Sequence, residues 1–393
     1  MPSDLTAHTL FKRQFGHPPV HEVRAPAALT LLGRAAAGNE GLILTAAIDR
    51  YLHLAAAPRA DGKIELIQIS PEGRETFWVS NLAANPQAPW ADVMKSVLVH
   101  LRKRGVPFNG FNAVVQAGDN QLFLADRSSQ APLAAATALM IRKLYPFSLG
   151  ETGLGRPPER NAQGKVPEPG LAERLHIARL CANALSTPDS FAEIATVLGG
   201  KAWHLLSLDL RSGTAEHLPL IGGILALSFP EERADYNREE TRQLLATGAS
   251  TLGIRSWRTV ELPFLEASRE RLSLRACAAA RAVVNDNILA VASERGLRLD
   301  DQAQFGHCLV RSEDNWSVLL GGFSPRQRLV VETARAHPAS LAAVRLPQAP
   351  DVILHLLRHH LAPGFGDHLA NHFKALTGKP LKTIFCQVTD AST

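Results

Sequence analysis

The chain has 393 residues, of which 46% are hydrophobic and 20% charged; this composition supports about two folded domains and excludes a disordered protein. The longest nearly apolar stretch, 131–141, is shorter than the ~18 residues that cross a bilayer. The net charge of +5 comes without a block of like charges or interleaved aromatics, so we expect no nucleic-acid or membrane partner. Scattered cysteines and an N-terminus unlike a signal peptide favour a cytoplasmic protein.

In the first half of the chain, short apolar runs between polar turns predict strands joined as an antiparallel meander. The predicted strands cover 20–24, 28–33, 42–48, 51–57, 63–70 and 75–80. Apolar residues that recur at helical spacing from Trp90 to Leu101 predict an amphipathic helix. Further elements are predicted as a strand over 111–117, a helix over 130–144 and a loop over 150–170.

The second half is predicted to alternate helices with strands, after a helix over 171–185 and a strand over 205–210. Ser324-Pro325 predicts a helix start, because serine caps the helix and proline fits its first turn. A strand is predicted over 341–346, followed by a short helix on the spacing of Ile353, Leu356 and Leu357. The last predicted helix, 366–376, ends at Gly378.

Two pairs of histidines four residues apart are the candidate metal ligands of the sequence: His355 with His359, and His368 with His372. Such a pair binds zinc when both rings lie on one helix face and a third ligand completes the site. The sequence shows no H-E-x-x-H motif and no third ligand. We therefore predict no metal site.

Several short motifs keep the order and spacing of one protein family. They are Phe15-Gly16, Ala25-Pro26, Gly33 to Gly41, Leu208 to Ser212, Tyr236 to Arg238 and Thr377-Gly378. By these motifs the chain resembles the galactokinases of the GHMP kinase family over nearly its whole length. The resemblance implies a two-domain α+β fold, with a domain like ribosomal protein S5 domain 2 over 1–205 and a ferredoxin-like domain over 206–393.

The resemblance places the first signature of the family over 25–41, where an Arg assists phosphoryl transfer and a Glu, a His and an Asp hold sugar hydroxyls. This chain has Ala28, Arg34, Ala35 and Ala37 at those positions. Each missing hydrogen bond to a buried hydroxyl costs about 1–3 kcal/mol. The candidate substrate-binding residues that remain are Arg34, Asn39, Glu40 and Tyr236. Tyr236 equally fits a packing role, and Asn39 and Glu40 also fit a turn before Gly41.

The second family signature is a glycine-rich loop whose backbone N–H groups approach the nucleotide phosphates. In this chain Phe123 and Ala125 replace two of its glycines, and Asp126 adds a carboxylate. Two like charges ~4 Å apart repel by ~4 kcal/mol at an effective dielectric constant of ~20. The remaining candidates for nucleotide binding are Arg127, Ser128 and Ser129.

The catalytic Asp and the third signature of the family are also changed. The Asp position falls on Ala192 or Glu193, so Glu193 is a weak candidate base, for which an exposed helix position is the favoured interpretation. The third signature falls near 336–340, where no glycine occurs. The triplet Gly364-Phe365-Gly366 is interpreted as the lead into the last helix.

The sequence therefore predicts a galactokinase-like pseudokinase with a binding or regulatory role and no cofactor. Its partner would be a protein or an unidentified small molecule, such as an anion attracted by Arg34 and Arg127. The alternative is a divergent, active ATP-dependent sugar kinase that uses Glu193, Ser128 and Arg34 in a rearranged site. Mg-ATP would be the cofactor only in that alternative.

Overall fold

The structure is a computed structural model that describes residues 6–69, 72–117, 130–150, 153–185, 190–231 and 236–393. The chain forms two compact units. The first comprises Met1–Ala28, Ala47–Gly200 and Asp390–Thr393, and the second comprises Leu29–Ala46 and Lys201–Thr389. The domain boundary expected between residues 205 and 206 stays a prediction.

Two long strands, β1 (His21–Leu32) and β2 (Leu42–Pro58), contribute residues to both units. The other elements of the first unit are α1 (Ala7–Phe15), β3 (Lys63–Gln68), β4 (Gly73–Trp78), α2 (Pro89–Lys103), β5 (Phe111–Ala117), α3 (Gln130–Leu144), β6 (Ser148–Leu149), β7 (Gly155–Arg156), α4 (Leu171–Leu185) and α5 (Ser190–Gly199). The sequence predicted β1 and β2 each as two strands. In β2 the two residues left between the predicted strands, Asp49 and Arg50, are half-buried within one continuous strand.

The strands of the first unit are ordered β4-β3-β5-β2. Strand β3 pairs with β4 and β2 pairs with β5 in antiparallel fashion, whereas β3 and β5 are parallel. The predicted antiparallel meander is confirmed for the pair β3 and β4 but is wrong between β2 and β3, because β5 lies between them. Helix α2 carries the chain from β4 back to the start of β5, and such a crossover permits parallel pairing. The predicted amphipathic character of α2 is confirmed, since Met94, Leu98 and Leu101 are buried.

The second unit contains most of the long helices. Its elements are β8 (His204–Asp209), β9 (Thr214–Pro219), β10 (Gly223–Phe229), α6 (Arg238–Leu252), α7 (Leu262–Ala267), α8 (Leu274–Arg298), α9 (Gln302–Leu320), α10 (Pro325–Ala336), β11 (Ser340–Leu346), β12 (Ala349–Arg358), α11 (Phe365–Thr377) and β13 (Lys382–Cys386). Strands β11, β12, β10 and β13 form an antiparallel sheet in that order. Strand β8 pairs with β9 and with the first residues of β2.

The helix predicted from Ile353, Leu356 and Leu357 is wrong, because these residues lie on the central strand β12. The strand pairs with β11 on one side and β10 on the other, and its residues from Val352 to Leu357 are all buried. A run buried on both faces shows no alternation of apolar and polar residues. Periodicity therefore does not separate such a strand from a helix.

The predicted start of α10 and the predicted end of α11 are confirmed. Ser324 caps α10 in a capping box with Gln327, and α11 ends at Gly378, which has a left-handed backbone with φ 70°. Gly364 precedes α11 at φ 82°, so the triplet leads into this helix as interpreted. Within the described part of the chain, no helix is both long and apolar enough to cross a membrane.

Replacing Gly33 with alanine is expected to destabilise the second unit by about 2–3 kcal/mol. Gly33 has φ +92°, and an added Cβ would lie 2.6 Å from the Leu42 carbonyl oxygen. Gly38 is the matched control, because its φ is +79° but an added Cβ meets nothing within 4 Å. Urea unfolding should show a loss of only about 1 kcal/mol for Gly38→Ala. Equal losses in the two variants would contradict the close contact at Gly33.

Candidate functional site

Arg34 lies just after β1 in the segment that carries the first signature. Its side chain is only 4% exposed. Nη1 donates a hydrogen bond to the Pro347 carbonyl at 3.0 Å, and Nη2 lies 3.8 Å from Oε2 of Glu313. The guanidinium carbon is 5.5 Å from the centre of the Tyr236 ring. Arg34 is thus held by partners of the second unit, and its charge is balanced within the protein.

Glu313, on α9, joins Arg34 to a second buried arginine, Arg345 on β11. Nε of Arg345 donates to Oε1 of Glu313 at 2.6 Å, and its backbone N–H donates to Oε2 at 3.2 Å. The side chains of Arg345 and Glu313 are 1% and 3% exposed. The remaining Arg345 nitrogens donate to the Gly321 carbonyl at 3.1 Å. One carboxylate therefore serves two guanidinium groups in a water-poor interior, where each charge needs its partner.

Asp286, on α8, adds a second carboxylate to this cluster. Its oxygens accept hydrogen bonds from Ser312 Oγ at 2.6 Å and Trp316 Nε1 at 2.8 Å. Burial raises the pKa of Asp286 to about 6, while these two hydrogen bonds and the charge of Arg34 act in the opposite direction. Above that pKa, Arg34, Arg345, Glu313 and Asp286 form a buried cluster with two positive and two negative charges. We refer to these four residues as the charge cluster.

Asp286→Asn is expected to change how stability depends on pH. Because the pKa of Asp286 is about 6 in the folded state and its ordinary value is 3.8, the folded state binds this proton more tightly. Asp286 thus adds stability as the pH falls below 6, by about 2 kcal/mol at pH 4.5. Urea unfolding at pH 7.5 and at pH 4.5 should show no such gain at the lower pH in Asp286→Asn. The exposed Asp314→Asn should still show it. A wild-type pH profile in Asp286→Asn would contradict the assignment.

The other predicted substrate-binding residues lie around the same segment. Tyr236 is half-buried against the apolar cluster that contains Trp257. Asn39 donates through Nδ2 to the Ala35 carbonyl at 2.7 Å, and Glu40 is exposed in a left-handed conformation at φ 53°. The turn interpretation of Asn39 and the packing interpretation of Tyr236 agree with these contacts. Whether any of them also binds a ligand stays a prediction.

The alanines that replace the polar residues of the first signature give this segment few side-chain hydrogen-bonding groups. Ala35 is half-buried and packs against the same apolar cluster as Tyr236. Ala37 is half-buried in the turn before β2. An apolar environment beside Ala35 favours a methyl group over a polar side chain. Ala35 therefore contributes to packing in this segment, and whether the segment binds a sugar stays a prediction.

Glu193 lies in the first unit, in the first turn of α5, and is half-buried. The predicted helix is confirmed, although the position is less exposed than the favoured interpretation assumed. Arg127, Ser128 and Ser129 lie outside the described residues. Glu193 therefore stays a weak candidate base, and the three nucleotide-binding candidates stay predictions.

The two histidine pairs lie in different structural environments. His355 is a buried residue of β12 and His359 belongs to a 3-10 turn, so they do not share a helix face. His368 and His372 are exposed on α11 with parallel rings whose centres are 6.4 Å apart. Among the described side chains, no three His, Cys, Asp or Glu residues are already arranged around a metal position.

Sequence reasoning identified Arg34 but missed its partners Glu313, Arg345 and Asp286. Arg345 stands within an otherwise apolar strand sequence, SLAAVRL, and a charged residue there indicates a buried ion pair. Nothing in the sequence around Glu313 or Asp286 distinguishes them from exposed helix carboxylates.

Comparison with known proteins gives a consistent result, although no protein-family model matches. The chain is 27% identical over 345 residues to the galactokinases of Bos taurus and Canis lupus familiaris, covering 84% of this chain and 82% of each relative. It superposes on Lactococcus lactis galactokinase complexed with galactose with a TM-score of 0.81 at 16% identity, covering 98% of both chains. Methanococcus jannaschii mevalonate kinase gives 0.58 at 12% identity, covering 94% of this chain and 98% of the other. The galactokinase resemblance and the two-domain GHMP kinase fold are thereby confirmed.

Proposed function

We propose that this galactokinase-like chain, which has the GHMP kinase fold, is a catalytically impaired pseudokinase with a binding or regulatory role. The observation that carries the proposal is the buried position of Arg34 in the charge cluster. The resemblance gives this position to a carboxylate that accepts hydrogen bonds from a sugar. Arg34 only donates: Nη1 donates to the Pro347 carbonyl, and Nη2 donates to the Arg345 carbonyl and lies 3.8 Å from Oε2 of Glu313.

The energetic argument concerns sugar binding. The side chains of Ala35 and Ala37 form no hydrogen bond, and the side chain of Arg34 cannot accept one. If each of the three lost contacts costs about 1 kcal/mol, the lower end of the usual range, affinity falls by roughly 100-fold or more. Reorienting Arg34 toward a ligand would also leave the buried Glu313 carboxylate with one guanidinium fewer.

The nucleotide side of the proposal rests on sequence. Phe123 and Ala125 stand where the resemblance places glycines, and Asp126 brings a negative charge to the expected phosphate position. A Cβ at these positions hinders the approach of backbone N–H groups to an anion. We therefore propose that no cofactor is bound. The partner would be a small molecule or a protein, and the cytoplasmic location stays a prediction.

Isothermal titration calorimetry with D-galactose and with Mg-ATP tests this proposal. A galactokinase measured under the same conditions serves as the positive control. We expect no saturable binding of either compound below about 1 mM. Saturable binding of both compounds in the micromolar range would contradict the proposal.

The alternative is an active sugar kinase with a rearranged site. It is supported by the position of Glu193, which lies half-buried in the first turn of α5 at or next to the place where the resemblance puts the catalytic Asp. Under this alternative, turnover is present and falls by about 10²–10⁴ in Glu193→Ala. Glu159→Ala, in an exposed loop of the same unit, is the matched control and should leave turnover unchanged.

A further inference from the structure

Residues 33–41, which connect β1 to β2, form a compact loop whose two ends lie side by side. An added Cβ on Gly33 would lie 2.6 Å from the Leu42 carbonyl oxygen, so the loop begins and ends at nearly the same point. Inside the loop, the Ala36 carbonyl accepts a hydrogen bond from the backbone N–H of Gly41 at 3.2 Å. These contacts make the loop a small folded body, and we refer to it as the signature loop.

Helix α8 contacts both ends of the signature loop through two neighbouring side chains. Asp286 interacts with the backbone N–H and with the charged side chain of Arg34, which is the second residue of the loop. Asn287 accepts a hydrogen bond through Oδ1 from the backbone N–H of Leu42, directly after the loop, at 3.2 Å. One turn of one helix therefore holds the start and the end of the loop by polar contacts.

Apolar burial contributes little to this attachment. The signature loop reads G-R-A-A-A-G-N-E-G, so none of its apolar side chains is larger than a methyl group. Its middle is attached by a hydrogen bond from Ser256 Oγ to the Asn39 carbonyl at 3.1 Å. Segments with few buried apolar contacts have low local stability and open without global unfolding. Strand β12 differs in this respect, since its residues from Val352 to Leu357 are all buried.

The charge of Asp286 acts against the closed loop. Burial raises the pKa of this carboxyl group to about 6 and outweighs the opposite effects of its hydrogen bonds and of Arg34. The charged and titratable groups around this contact are Arg34 on the loop, Glu313 on α9, Arg345 on β11 and Tyr236. Opening of the loop admits water to the carboxylate, and water favours its ionised form. Protonation therefore favours the closed loop, and ionisation favours the open one.

We propose that the signature loop is a lid that α8 holds closed through Asp286 and Asn287, and that protonation of Asp286 tightens it. The lid opens while β12 and the rest of the second unit stay folded. Opening exposes the charged groups of Arg34 and Asp286 to solvent. The inference is independent of the proposed loss of kinase activity, because it concerns the opening of the loop and not the compound that the loop binds.

Hydrogen exchange measured by mass spectrometry tests the lid, with protection factors corrected for the intrinsic exchange rate at each pH. In the wild type we expect peptides from 33–42 to be less protected than peptides from β12. Their protection should rise about tenfold from pH 7.5 to pH 5.0, because the pKa of Asp286 is about 6 in the closed state and its ordinary value is 3.8. Asp286→Asn should abolish this rise, and the exposed Asp314→Asn should keep it.

Asn287→Ala tests the other end of the lid. The variant lacks the acceptor for the Leu42 N–H, so the protection of the 33–42 peptides should fall about three- to tenfold at both pH values. Peptides from β12 should be unaffected. Asn371→Ala, at an exposed position of α11, is the matched control and should leave the protection of the loop unchanged.

Three results would overturn the proposal. One is equal protection of the 33–42 and β12 peptides in the wild type, which would show that the loop opens only with global unfolding. Another is a wild-type rise in protection at pH 5.0 in Asp286→Asn. The third is wild-type protection of the loop in Asn287→Ala. Far-UV circular dichroism of each variant separates opening of the lid from loss of the fold, and the first result is obtained without any variant.

Discussion

Glu313→Gln is expected to destabilise the second unit by about 3–5 kcal/mol, because it leaves the buried guanidinium groups of Arg34 and Arg345 short of a countercharge. The amide keeps one acceptor oxygen but brings an NH₂ group toward these two donors. The side chains of Glu313 and Arg345 are nearly fully buried, so water does not compensate the lost charge. Urea unfolding, followed by hydrogen exchange of peptides from α9 and β11, measures the effect on this unit.

Glu266→Gln is the matched control for this prediction. Glu266 also pairs with an arginine, Arg281, but both side chains are about half exposed, at 47% and 48%. An exposed pair contributes about 0–1 kcal/mol. A loss below about 1 kcal/mol in Glu313→Gln, similar to the control, would contradict a tightly paired charge cluster.

His355→Leu is expected to make the second unit more resistant to acid. His355 is fully buried on β12, and burial lowers its pKa from 6.5 to about 3. The folded state keeps this ring neutral, whereas the unfolded chain binds a proton below pH 6.5. Stability is therefore lost as the pH falls from 6.5 toward 3, by about 1.4 kcal/mol per pH unit. Leucine has no titrating group, and its apolar side chain is similar in size to that of histidine.

The contacts of His355 make the substitution tolerable. Its Nε2 lies 2.9 Å from Ser228 Oγ, which also lies 2.9 Å from Thr383 Oγ1, so the serine keeps a partner. Nδ1 of His355 has no hydrogen-bond partner among the described residues. Unfolding free energies at pH 7.5 and 4.5 should differ less in the variant than in the wild type, by about 2–3 kcal/mol. The exposed His360→Leu should leave the difference unchanged. An equally acid-sensitive His355→Leu would show that this ring does not cause the loss.

Asp286 and His355 act with opposite signs over the same pH range. Acid stabilises the fold through Asp286, whose folded pKa is raised, and destabilises it through His355, whose folded pKa is lowered. The wild-type profile contains both effects. Each variant therefore has to be compared with the wild type at both pH values, because the wild-type curve alone does not separate the two groups.

The sequence predicted those elements whose pattern reflects a single buried face. Helix α2 has one apolar face, and its spacing gave nearly correct bounds. The helices α10 and α11 were bounded correctly by a capping serine and a left-handed glycine. Strand β12 was missed because it is covered on both faces, and the parallel pairing of β3 with β5 was missed because pairing direction depends on the crossover through α2.

The candidate site was predictable only where the chain departs from a known motif. Arg34 was recognised because it stands where the resemblance gives a carboxylate. Its partners Glu313 and Arg345 are about 280 and 310 residues away along the chain, and only the fold brings them together. Local spacing carries no information on contacts made by distant segments.

The most direct test of the account measures transfer of the labelled γ-phosphate of ATP to galactose by the purified protein. A galactokinase should give readily detected sugar phosphate in the same assay. For this chain we expect no product above the background without protein. Product that accumulates in proportion to the amount of protein, and that disappears in Glu193→Ala, would contradict the account and establish an active kinase.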